Sequence, residues 1–91
     1  MEPIEIPIDG VLDLHTFSPK EVKPLLYDYI AACKEKEIFS LRIIHGKGTG
    51  VLKKRVQGIL SAHPDVISII DAPAQAGGWG ATLVELKKIE R

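Results

Sequence analysis

The stretch "LRIIHGKGTGVLKKRVQGIL", residues 41–60, decides the fold. It opens on a near-continuous apolar run, Leu41 to Ile44 broken only by Arg42, which suits a strand in the interior of a sheet. It closes on Val51, Leu52, Val56, Ile59 and Leu60, which recur at helical spacing. These five are expected to face inward on a helix from about Gly50 to His63, stopped by Pro64. Between strand and helix lie one histidine, one lysine and three glycines. Such a corner is the middle of a β-α-β unit.

Upstream, "EIPIDGVLDLH" alternates at Ile4, Ile6 and Ile8, and then reads as a strand from Val11 to Leu14. Residues 1–10 are expected to form an extended arm and 11–91 a single domain. "SPKE" offers a helix start, with Ser18 as N-cap, Pro19 in the first turn and Glu21 closing a capping box. Val22, Leu25, Leu26, Tyr29, Ile30 and Cys33 continue it at helical spacing, and Pro24 predicts either a kink or a later start. Downstream, "DVISIIDA" is a third strand and "PAQAGGWG" a loop. "ATLVELKKI" is a fourth strand, with Thr82 and Val84 on one face and Leu83 and Leu86 offset around it. The order is β-α-β-α-β-β. Two helices cannot cover both faces of a four-stranded sheet, so a two-layer α/β sandwich is expected. The last two strands can pair as a wide hairpin or lie apart.

Composition narrows the class. The 91 residues carry 12 Lys+Arg and 12 Asp+Glu, and a neutral total weighs against a strongly basic nucleic-acid binder. Local charge matters more: Lys47, Lys53, Lys54 and Arg55 stand together, with no acid between Arg42 and Asp65. Cys33 is the single cysteine, which excludes an internal disulfide and suits a buried thiol. Nothing resembles a signal peptide or a membrane span, so a cytoplasmic protein is expected.

Alternation in "LDLH" places Leu12 and Leu14 on one face and Asp13 with His15 on the other, at the carboxyl end of the first strand. His45 ends the second strand and is expected at the same rim, the edge where open α/β sheets bind ligands. Gly46, Gly48 and Gly50 expose main chain, the next helix aims its unpaired N–H groups at the corner, and Lys47 adds charge. An anion, phosphate above all, fits there. The spacing is not that of a P-loop. Two histidines can divide base and acid work while a carboxylate fixes a tautomer. Trp79, between glycines, either stacks on an unpaired base or folds over the sheet edge as a lid. Glu85 is a further candidate from the last strand.

"LDLH", "IIHGKGTGVLK" and "GGWGATLVEL", in this order, resemble the three signature blocks of the Smr (small MutS-related) domain, over roughly residues 11–88. Without an ATPase region the chain looks like a stand-alone member. The resemblance implies a fold similar to the C-terminal domain of translation initiation factor three, with mixed sheet order 1-2-4-3 and the last strand antiparallel. It implies an endonuclease that nicks structured DNA or cuts RNA, linked to DNA repair, recombination or stalled ribosomes. Its Asp-x-His falls on Asp13 and His15, and its second block on His45, Gly46, Lys47 and Gly48. On this reading Asp13, His15 and His45 are catalytic, with His45 protonating the leaving oxygen. Gly46 to Gly50 (Thr49 included), Lys47, Lys53, Lys54 and Trp79 bind the phosphate or the nucleic acid. Asp13 is alternatively a ligand for Mg²⁺ or Mn²⁺, which keep most of their waters. A non-catalytic DNA- or RNA-binding module is the competing reading. Many members carry glycine where this chain has Thr16, and a β-branched residue there is expected to restrict the turn.

Overall fold

The computed structural model describes residues 6–76 and 78–88. In chain order it contains β1 (Val11–Asp13), α1 (Pro19–Glu35), β2 (Ser40–Ile44), α2 (Val51–Ala62), β3 (Val66–Asp71) and β4 (Ala81–Leu86). Two short 3₁₀ turns, Ala74–Ala76 and Gly78–Gly80, link the last two strands.

The sheet order is β1-β2-β4-β3. β1 and β2 run parallel, and β4 is antiparallel to both β2 and β3. The last two strands therefore form the wide hairpin, and β4 also inserts beside β2. This is the topology that the resemblance implies.

Helix α1 starts at Pro19, where the Ser18 N–H donates to the Glu21 carboxylate at 3.0 Å. The later start is not taken. The helix continues through Pro24 to Glu35, giving up one backbone N–H bond at that residue. Both helices lie on one face of the sheet. Leu12, Leu14, Leu41, Ile43, Val84 and Leu86 meet Val22, Leu26, Ile30, Cys33, Val56, Ile59 and Leu60 there in one buried cluster. Each buried leucine or isoleucine contributes about 1.5–3 kcal/mol. The opposite face, with Val11 and Ile70 exposed, has no second layer among the described residues.

Two side-chain directions are corrected. Val51 is 60% exposed because the first turn of α2 overhangs the corner rather than the core. Leu86 shares the buried face with Thr82 and Val84. Of the N-terminal arm, Ile6 and Ile8 pack on the core, and the Tyr29 hydroxyl accepts the Gly10 N–H at 3.0 Å. Ile4 lies outside the described residues. Among the described residues no helix is long and apolar enough to cross a membrane.

Candidate active site

β1 registers with β2 so that Asp13 sits opposite Ile44, and the Leu14 N–H extends the ladder to the Ile44 carbonyl at 2.7 Å. Leu12 and Leu14 turn into the core, which leaves the Asp13 and His15 side chains half exposed. Asp13 Oδ1 accepts the His15 backbone N–H at 3.0 Å and lies 2.5 Å from His15 Nδ1. An ionised carboxylate only accepts, so the ring proton belongs on Nδ1 and Nε2 keeps its lone pair. Burial pushes the Asp13 carboxyl up, but the His15 N–H and ring outweigh it and hold it below the usual carboxylate range.

The turn after this pair closes with Phe17 N–H on the Leu14 carbonyl at 2.9 Å. Thr16 is exposed, and among the described residues Glu37 alone is a non-glycine at positive φ. The expected restriction at Thr16 therefore does not arise, since its backbone conformation is open to any residue.

The corner itself needs its glycines. Gly46 (φ +81°) and Gly50 (φ +86°) occupy the left-handed region. Gly46 lies against the dyad: a Cβ there would stand 3.4 Å from His15 Cβ. The His45 and Gly46 N–H groups both donate to the Gly80 carbonyl, at 3.0 and 2.9 Å. A Cβ on Gly80 would approach Lys47 Cγ to 3.1 Å, so the third block contributes bare main chain beneath the lysine. Gly50 caps α2 without a side-chain hydrogen bond, and the first turn holds no acid. Its opening N–H groups thus face a groove of about 410 Å³, whose lining includes His15, Phe17, His45, Lys47, Thr49 and Lys53.

His45 lines this groove but is not presented as His15 is. It is 4% exposed, because Leu41, Ile43 and His45 share the strand face turned toward the helices. Its Nε2 is 2.8 Å from the Thr82 hydroxyl and its Nδ1 is 3.1 Å from the Gly46 carbonyl. A carbonyl only accepts, so Nδ1 carries hydrogen and the neutral ring accepts from Thr82. Gln57 Nε2 donates to Thr82 Oγ1 at 3.1 Å and to Asp71 Oδ1 at 3.0 Å. Lys53 Nζ reaches the same Asp71 oxygen at 3.2 Å. Lys53 and then Gln57 hold the Asp71 carboxyl below its usual range. His45 thus shares the rim and the groove with His15 as expected, but it is buried in the groove wall with both ring nitrogens engaged.

Sequence reasoning missed Thr82, Gln57 and Asp71. Thr82 was the one findable member, a hydroxyl on the inward face of β4 that burial obliges to find partners. Of the other expected residues, Gly48 and Thr49 lie in the groove wall, Lys54 is exposed beside it, and the Trp79 side chain lies outside the described residues. Glu85 is excluded from the groove: it accepts from Ser40 Oγ at 2.7 Å on the uncovered face of the sheet. Among the described residues no group of three or more His, Cys, Asp or Glu side chains is gathered to hold a metal ion. A hard cation at Asp13 would have one carboxylate with Oδ1 already engaged, and would depend on water and substrate phosphate for the rest.

The Smr domain family model matches residues 12–87. Relatives include the ribosome rescue factor SmrB of Yersinia enterocolitica, 41% identical over 76 residues, covering 84% of this chain and 43% of that one. The ribosome rescue factor SmrB of Photobacterium profundum is 37% identical over 83 residues, covering 91% and 47%. The chain thus spans about half the length of the curated relatives it matches. Among solved structures, the Smr domain of Thermus thermophilus MutS2 superposes with a TM-score of 0.82 at 31% identity, covering 86% of this chain and 98% of that one. YdaL, a stand-alone small MutS-related protein from Escherichia coli, gives 0.76 at 26% identity, covering 90% and 67%. Blocks, topology and family match agree, and the chain belongs to the Smr domain family.

Proposed function

We propose that this chain cleaves phosphodiester bonds in RNA, with the Asp13–His15 pair as general base and the 46–50 corner as phosphate cradle. The observation that carries the proposal is that His15, fixed by Asp13, opens on the same groove as Lys47 and the uncapped start of α2. RNA is preferred over DNA because relatives at about 40% identity bear the name ribosome rescue factor.

In the reaction, His15 Nε2 takes the proton from the attacking oxygen, either a ribose 2′-hydroxyl or a water. A new phosphorus–oxygen bond forms as the bond to O5′ breaks, and the departing oxygen takes a proton from solvent. Charge building on the phosphate meets the Lys47 ammonium and the α2 amides. His45 supports the cradle rather than touching the reacting atoms. Its Nδ1–H fixes the Gly46 carbonyl, and Thr82 holds its other nitrogen.

The test compares wild type, His15→Ala and Lys47→Gln on labelled RNA and on supercoiled plasmid, with and without EDTA. His15→Ala is expected to lose roughly 10²–10⁴-fold in cleavage while still binding. Lys47→Gln is expected to weaken binding. Wild type that binds RNA yet never cuts it refutes the catalytic reading and leaves a binding module. Nicking of plasmid alone refutes the choice of polymer.

A further inference from the structure

We infer that the groove between α1 and α2 is a second contact site, which holds the single-stranded segment continuing from the phosphate corner. The inference rests on the corner being a phosphate site. Helix α1 separates its charges, with Lys20, Lys23 and Tyr27 along one stripe and Glu21 and Asp28 along another. Helix α2 carries Lys53, Lys54 and Arg55 and no acid between Val51 and Ala62. Lys23, Tyr27 and Arg55 line a groove of about 190 Å³ floored by Gly58, Ile59 and Ala62. It lies about one helical turn along α1 from the first groove, since Pro19 lines that one and Lys23 lines this one.

Two details suit a nucleic-acid strand. Tyr27 is 37% exposed as a residue, its ring is approached by Lys23 Nζ at 6.0 Å from the centre, and it packs on His63 with centroids 4.5 Å apart. An aromatic face beside cations is what unpaired bases and their phosphates take. The second detail is Gly58. A glycine inside a helix weakens it relative to alanine, yet a Cβ here would meet nothing within 4 Å. Packing supplies no reason for the missing side chain, whereas close approach of a ribose or base to the helix backbone does. From Gly50 to Gly58 the helix rises ~12 Å. A stacked strand covers that span in roughly three to four nucleotides at ~3.4 Å each.

The test measures anisotropy of labelled single-stranded RNA and DNA, either a dinucleotide that fills the corner alone or a strand of about ten nucleotides that also crosses the groove. Wild type is expected to bind the longer strand roughly tenfold tighter or more, as added stacking and phosphate contacts predict. K23Q/R55Q and Tyr27→Ala are expected to lose that gain while keeping the affinity for the short strand. The double variant is also expected to lower the log–log salt slope by about 1.4 for two phosphates. Gly58→Gln is expected to hold or raise Tm and still lose the gain, which separates an occupied groove from a damaged fold. Groove variants that keep the full gain, while Lys47→Gln weakens both lengths, overturn this site alone. Lys47→Gln that weakens neither length overturns the corner on which it depends. A gain seen with only one polymer supports the groove and identifies its strand.

Discussion

Asp13–His15 and His45–Thr82 differ in which atom is left unbonded. His15 keeps Nε2 open to the groove, whereas His45 has a partner at each nitrogen. Asp13→Asn is expected to lower cleavage by about 10²–10⁴-fold, since the amide no longer enforces one tautomer. The Asp13 carboxyl, held below the usual range, stays ionised as the medium is acidified and keeps its hold on the ring N–H. Thr82→Val keeps shape but strands His45 Nε2 and the Gln57 amide, and should cost about 1–3 kcal/mol by denaturant unfolding. Thr82→Ser should restore most of it. The dyad was legible in "LDLH" because alternation with two leucines is a local signal. Alternation from Arg42 already puts Leu41, Ile43 and His45 on one face of β2, a signal blurred because Ile44, on Arg42's side, is apolar too.

The elements were legible where periodicity had room to repeat. All four strands and both helices lie where the apolar pattern puts them, and Pro24 was the one strong local warning that tertiary packing overrode. The first turn of α2 was misread because a helical repeat was continued into a turn that faces a groove. At the other end of the layer, Lys34 Nζ and Asp65 Oδ2 lie 2.9 Å apart, tying the last turn of α1 to the entrance of β3. Lys34 holds the Asp65 carboxyl below its ordinary value. A carboxyl whose pKa is lowered by folding adds stability above its unfolded pKa and loses it as pH falls through the folded one. Melting temperature should therefore drop on acidification below roughly pH 4, and Lys34→Met should flatten that drop. An unchanged acid slope in Lys34→Met would remove the pair from the account.

At the scale of the whole molecule, strand order was the part least available from single residues. Pairing β4 between β2 and β3 depends on contacts far apart in sequence, and the residues alone allowed either arrangement of the last two strands. The family resemblance resolved it. The same pairing has a consequence for how the molecule breathes. Because the amides of His45 and Gly46 both end on one oxygen of Gly80, they open only when the inner strands part. In native-state hydrogen exchange they should be as slow as the centre of β4, with Gly48 and Thr49 far faster. The base of the corner then keeps its place while its tip is free to reshape around whatever arrives.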